Sequence, residues 1–127
     1  MICGIGTDIV KIQRIRDMLE SEKGCFDAFF RKSFTEKEQL EAKTRSDESE
    51  YYSSRFAAKE AIFKCLPLST DIKRLENMEV LNDENGKPFV TLYGELKLET
   101  EKNCITRIHV SISHEDKYII AYAIAEK

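Results

Sequence analysis

The spacing of apolar positions changes several times along the chain, and each change marks an element. Ile2 and Ile5 open with strand character that Gly6 closes, and Asp8 follows where the period changes. From Ile9 onward, Ile12, Ile15, Met18 and Leu19 recur at helical spacing, which lays one apolar stripe along a helix. The pattern predicts strand, tight turn and helix, with a single carboxylate at the junction and Gly24 ending the helix. Phe26, Phe29 and Phe30 predict a short aromatic helical turn. Thr35 and Glu38 form a capping-box pattern, in which the hydroxyl caps a helix and the carboxylate reaches back. The charged stretch from there to Ser49 predicts a solvated helix and a mobile loop around Ser46 and Asp47. A longer helix follows over 50–66 with Ala58, Ala61, Ile62 and Cys65 as its apolar stripe. Pro67 stops it, because the residue before a proline is pushed out of the helical region.

The second half is strand-rich. Residues 78–82 and 89–93 flank Asp83-Glu84-Asn85-Gly86-Lys87, and Asn-Gly is a strong hairpin signal. Residues 94–103 read as helical from Leu96, Leu98 and their charge pattern. Ile108, Val110 and Ile112 then alternate with His109, Ser111 and Ser113, a half-buried strand with one polar face. The return over 118–125 is apolar on both faces, which predicts a central strand. Together these elements predict an α+β fold, an antiparallel sheet packed against two or three helices.

Composition narrows the class. The 127 residues have the length of a single domain, 1–127, able to bury a core without disulfide or structural metal. A net charge of −3 counts against a nucleic-acid partner, although it leaves room for a local basic patch. No apolar run approaches the ~20 residues of a membrane span, so no membrane partner is expected. The opening Met1–Asp8 lacks a basic start and its apolar stretch is cut by Asp8, unlike a secretory signal. Cys3, Cys25, Cys65 and Cys104 are scattered in apolar contexts without a CxxC pair, which reads as reduced thiols in a cytoplasmic protein rather than a zinc site.

Three groups of residues bear chemistry. Glu60 and Lys64 share a face of the long helix, one turn apart, beside a basic stripe of Arg55 and Lys59. As a surface pair they contribute a few tenths of a kcal/mol; with Asp8 they make another set. Asp8 reads either as the cap of the helix that follows or, with Glu60, as one of two carboxylates holding Mg²⁺. In that second reading Lys64 and Arg55 meet phosphate oxygens. His109 reads as a structural histidine of its strand or as a ligand-binding one. Neither a nucleophile elbow nor a P-loop occurs, which excludes serine hydrolases of that type and P-loop NTPases.

Four blocks in order carry a resemblance: Ile5-Gly6-Thr7-Asp8-Ile9-Val10, Arg55-Phe56-Ala57-Ala58-Lys59-Glu60-Ala61-Ile62-Phe63-Lys64, Asn85-Gly86-Lys87-Pro88 and His109-Val110-Ser111-Ile112-Ser113-His114. Over essentially the whole chain this resembles the bacterial holo-[acyl-carrier-protein] synthases, the small class of 4′-phosphopantetheinyl transferases. The resemblance implies the 4′-phosphopantetheinyl transferase fold and an enzyme of fatty acid biosynthesis. Such an enzyme moves the phosphopantetheine arm of coenzyme A to a serine of apo acyl carrier protein, releasing adenosine 3′,5′-bisphosphate. It further implies Mg²⁺ on Asp8 and Glu60, and Lys64 on the diphosphate as a catalytic group. Arg55 and His109 would hold the nucleotide, and Glu60 or a metal-bound water would take the serine proton. Arg14 matches a carrier-docking arginine on the first helix, with Lys11 one turn before it on the same side, and the sites would lie between subunits of a homotrimer.

Two departures from the family pattern stand out. The glycine-rich turn after the glutamate helix is replaced by the glycine-free Leu66–Asp71, and an aromatic ahead of the hairpin is missing around Leu75 to Met78. A non-catalytic carrier-protein or nucleotide-binding module and a Mg²⁺-dependent phosphohydrolase are the other readings of the same residues. The full set Asp8, Glu60 and Lys64 favours the transferase.

Overall fold

Ten residues make the first strand, more than twice the predicted length. The computed structural model describes residues 1–21, 23–24, 27–69, 71 and 74–127. In it β1 runs Ile2–Lys11, straight through Gly6 and Asp8, before α1 begins at Ile12–Leu19. The strand continues because a partner of nearly equal length, β5 (Tyr118–Glu126), pairs with it antiparallel along its whole course, Gly6 opposite Ala123 and Asp8 opposite Ala121. Asp8 is therefore not at a strand–helix junction, and it does not cap α1, whose N-cap position is Lys11. The helix also stops at Leu19, earlier than Gly24, which follows in a left-handed conformation with φ of 49°.

The second strand of this sheet to pair with β5 is β4 (Arg107–Glu115), giving the order β1-β5-β4 and placing β5 in the centre as its two apolar faces predict. Ile119, Ala121, Ala123 and Ala125 of β5 are buried on one face. That face is covered by α4 (Glu48–Cys65), which starts two residues before its predicted bound under an Asp47 cap that accepts from Glu50 N–H at 3.2 Å. Small alanines on the strand let the helix lie close, and α4 is buried on nearly all sides. The Asn-Gly hairpin joins β2 (Met78–Asn82) to β3 (Pro88–Leu92), with Gly86 at φ of 80°. This pair is a separate two-stranded sheet, so the predicted single sheet is in fact two antiparallel ones. Three shorter helices, α2 (Ala28–Ser33), α3 (Glu36–Lys43) and α5 (Gly94–Lys102), bring the described helices to five rather than two or three. Phe29 and Phe30 of α2 pack with Phe34, Tyr52 and Phe56 as an aromatic cluster; Phe26 lies outside the described residues.

The charged segment after Thr35 holds a buried knot that its composition hides. The capping box forms as predicted, but Glu38 is fully buried and its carboxylate serves three donors. It accepts from Thr35 N–H (2.8 Å), from Val80 N–H (2.8 Å) and from the ammonium of Lys59, which is also fully buried. Lys59 donates further to the carbonyls of Ser33 (2.6 Å) and Leu75 (3.0 Å). One ion pair thus ties α4 to α2, α3, the 3-10 turn Leu75–Asn77 and β2. Burial pulls the Lys59 ammonium below the usual lysine range, while Glu38 opposes that pull. Removing one partner strands the other charge in the core at a cost of about 3–5 kcal/mol, whereas an apolar pair of similar volume is tolerated. Lys59→Met is accordingly expected to lower the unfolding free energy by about that amount in urea titration, and Lys59→Met with Glu38→Gln, which removes the unpaired charge and keeps an acceptor for the backbone N–H groups, to restore part of it.

Candidate active site

Two glycines decide where Asp8 goes. A Cβ on Gly4 would lie 1.9 Å from the carbonyl oxygen of Cys65, and one on Gly6 would lie 2.0 Å from that of Ala61. Only hydrogen fits, so β1 and α4 meet backbone to backbone. Two strand residues advance about 6.6 Å and four helix residues about 6 Å, so alternate strand positions keep step with successive helix turns. The next position on that face of β1 is Asp8, carried along the helix past the Ala61 turn, where Glu60 lies at the rim. Side chains of a helix lean toward its N-terminus, so Lys64 runs back along the face that Glu60 shares. Its ammonium donates to the Thr7 carbonyl at 3.0 Å and pairs with Asp8 Oδ1 at 3.3 Å. Asp8 and Lys64 pair at one edge of the β1–α4 contact, with the Asp8 side chain 19% and the Lys64 side chain 53% exposed, and Glu60 stands one helical turn before Lys64.

Arg55 stands further toward the N-terminus of α4. It is 3% exposed, donates from Nη2 to Asn82 Oδ1 at 3.1 Å, and stacks over the Tyr51 ring with its guanidinium carbon 4.5 Å from the centroid. Its Nε and Nη1 are buried and have no hydrogen-bond partner among the described residues. Orphaned donors on a buried guanidinium are costly unless an acceptor arrives. They adjoin a cavity of about 250 Å³ that Arg45, Ser54, Ser113 and His114 also line. Burial pushes the neighbouring Tyr51 hydroxyl above its ordinary range, although Arg55 works against the shift. Sequence reasoning passed over Arg45, which fell in a presumed loop, and His114, which closed a quoted motif without a role. The signal for Arg45 was its distance of ten residues from Arg55 across a helix start, and only tertiary folding makes that meaningful.

His109 is elsewhere. On β4 it pairs in register with Ile124, itself opposite Ile5, and so belongs to the sheet face turned away from α4. Its side chain is 52% exposed and Nε2 lies 3.1 Å from Glu126 Oε1; that contact holds the Glu126 carboxyl below its usual range. Within one chain it does not join Asp8, Glu60 and Lys64. Arg14 is exposed on α1 with its guanidinium 5.7 Å from the Phe56 ring centroid. Lys11, expected one helical turn before it, is the last residue of β1 and the N-cap of α1; both are exposed at the start of α1.

Among the described residues no three His, Cys, Asp or Glu side chains form a metal cluster. A hard divalent ion such as Mg²⁺ needs only one or two carboxylates and takes its remaining ligands from water and phosphate. Asp8 and Glu60 have that donor chemistry, and a cationic group, the Lys64 ammonium, already sits on Asp8. Of the cysteines, Cys3 is half-buried, Cys65 buried with its thiol pushed up to about 12, and Cys104 exposed; Cys25 lies outside the described residues. The glycine-free turn leaves α4 through Leu66 to Ser69, with Asp71 N–H donating to Ser69 Oγ at 3.2 Å.

Residues 4–123 match the family model described as the 4′-phosphopantetheinyl transferase superfamily, ACPS. The chain belongs to the holo-[acyl-carrier-protein] synthases. A holo-[acyl-carrier-protein] synthase of Halothermothrix orenii is 39% identical over 127 residues, covering 100% of this chain and 99% of that protein. The crystal structure of holo-[acyl-carrier-protein] synthase from Neisseria meningitidis superposes with a TM-score of 0.88 at 33% identity, with 100% of each chain covered. That from Bacillus anthracis, in complex with CoA (3′,5′-ADP), gives 0.77 at 31% identity over 98% of this chain and 96% of its own. As a holo-[acyl-carrier-protein] synthase the chain is a phosphopantetheinyl transferase, built on two antiparallel sheets and the helices that cover them.

In this synthase the glycine contact sets the site. Gly6→Ala forces a methyl carbon into the Ala61 carbonyl, and neither backbone can yield without moving α4 relative to β1. The substitution is expected to cost about 1–3 kcal/mol or more in urea unfolding. Transferase activity, measured below the unfolding transition, is expected to fall further than the folded fraction does.

Proposed function

We propose that the enzyme transfers the 4′-phosphopantetheine arm of coenzyme A to a serine of apo acyl carrier protein, as a single domain spanning 1–127, in Mg²⁺-dependent fashion. The observation that carries this reading is the Asp8–Lys64 ion pair at the edge where β1 touches α4, with Glu60 one helical turn before Lys64. Asp8 and Glu60 would hold Mg²⁺, which when bound neutralises charge on the diphosphate oxygens. The serine oxygen attacks the phosphorus next to pantetheine, and the bond to the second phosphate breaks, releasing adenosine 3′,5′-bisphosphate. Glu60 takes the serine proton, and Lys64 supplies positive charge to the departing phosphate. Arg55 offers its two unpartnered nitrogens, Nε and Nη1, to the nucleotide's phosphate, with the CoA-bound relative from Bacillus anthracis as support for that ligand.

The same reading accounts for His109. The sheet face that carries it also exposes Ile5 (70%), Ile9 (63%), Tyr118 and Tyr122, an apolar surface typical of an interface between copies. A homotrimer closed through this face brings one copy's His109 toward the nucleotide held by its neighbour. No described helix is long and apolar enough to cross a membrane, and we place the enzyme in the cytoplasm, serving fatty acid biosynthesis.

Incubated with coenzyme A and Mg²⁺, apo carrier protein is expected to gain the phosphopantetheine mass, and chelator is expected to abolish the gain. Glu60→Gln is expected to keep the circular dichroism of the parent and lose roughly 10²–10⁴-fold in turnover. Near-normal turnover, or CoA binding without any mass gain, contradicts the assignment.

Carrier docking falls to the exposed cations at the start of α1. Arg14→Glu is expected to raise the KM for carrier protein with kcat little changed, and the defect is expected to shrink as salt screens the steering charge. An unchanged KM removes Arg14 from the docking surface.

A further inference from the structure

We infer that Lys64 has two positions, and that the metal switches it from one to the other. The inference rests on the metal reading of Asp8 and Glu60 above. In the structure the Lys64 ammonium is already engaged, by Asp8 Oδ1 at 3.3 Å and the Thr7 carbonyl at 3.0 Å. A lysine committed to β1 is not presented to a substrate phosphate. Mg²⁺ on the Asp8 carboxylate, through either oxygen, would set a divalent charge beside the ammonium that Oδ1 now holds and would weaken that pairing. The ammonium has somewhere to go. Its side chain is half in solvent, flexible, and held by no buried partner, unlike that of Lys59 five residues earlier on the same helix.

The switch gives the metal a second task. By displacing Lys64 from Asp8 it frees a cation at the moment when the diphosphate binds, and that cation turns to the departing phosphate. Without metal, the ammonium neutralises Asp8 and stabilises the empty site. Metal and coenzyme A are then coupled through one side chain, and the coupling must be reciprocal: each tightens the other's binding.

The test follows the ammonium itself, in the full-length protein without coenzyme A. Direct ¹H–¹⁵N spectra of lysine ammonium groups, with Lys64 assigned by its loss in Lys64→Met, are expected to show the signal moving on Mg²⁺ addition. Its new position is expected to match that in metal-free Asp8→Asn. Calorimetry with Mn²⁺ alone is expected to show Lys64→Met binding roughly two- to fivefold tighter than the parent, the equilibrium equivalent of one exposed ion pair. A merely neighbouring charge would tighten Mn²⁺ in the variant but leave the parent's Lys64 signal in place. A Lys64 signal that stays fixed while Asp8→Asn abolishes Mn²⁺ binding overturns the switch alone. Absence of Mn²⁺ binding in the parent, with and without Glu60→Gln, overturns the metal site and the switch together. Weaker Mn²⁺ binding in Lys64→Met also overturns the switch.

Discussion

Everything in this protein hangs on backbone touching backbone at Gly4 and Gly6. Side-chain packing normally keeps a helix about 10 Å from a sheet, and here the carbonyls of Ala61 and Cys65 occupy the volume where a strand Cβ would stand. The buried alanines of β5 extend the same economy across the sheet. The close approach fixes the level of α4 against β1, and so the level of Glu60 and Lys64 against Asp8. A contact made of backbone cannot slide by a rotamer change, which suits a site whose parts come from distant stretches of chain.

The helix that carries the site has two lysines with opposite fates. Lys59 is sealed in the core against Glu38 and two carbonyls, and it locks the far side of α4 to four other elements. Lys64 reaches out across the rim with an exposed stem and a single carboxylate. Burial makes the first immobile because leaving it unpaired costs several kcal/mol. Exposure leaves the second held by an interaction of about 1 kcal/mol or less, weak enough to exchange. Anchoring and mobility are thus separated by five residues on one helix.

Much of this was legible in the sequence, and the exceptions have physical causes. Helical spacing placed α4 and α1, alternation placed β4, Asn-Gly placed the hairpin, and two apolar faces put β5 in the centre. The length of β1 was hidden because Gly6-Thr7-Asp8 looks like a turn when judged locally, whereas pairing with β5 supplies nine registered positions that override it. Glu38 looked solvated because composition cannot show that Val80 N–H and Lys59 converge on it. The set Asp8, Glu60 and Lys64 was visible as residue types, and the pairing of Asp8 with Lys64 depends on two glycines whose role in the contact was not apparent from their spacing. The Arg55 cavity was half seen: Arg55 itself stood out, but His114 joins it only through the packing of β4 beside α4, and Arg45 only through its place over the Tyr51 ring.

His109 is the residue that a single chain leaves without a partner site. It stands on the opposite sheet face from Asp8, so no rotamer brings it to the same ligand. On the β1 and β5 side this face exposes Ile5, Ile9, Tyr118 and Tyr122, whereas β4 contributes the polar Arg107, Ser111, Ser113 and Glu115. A solvated face of an antiparallel sheet ordinarily alternates to polar residues; here β4 does so, while β1 and β5 keep large apolar side chains exposed. The exposed apolar groups and the histidine beside them both support the contact with another copy proposed above. In the homotrimer proposed above, that contact would turn an edge site of one subunit into a cleft between two, with the rigid half supplied by the glycine contact of one copy and the histidine by the next.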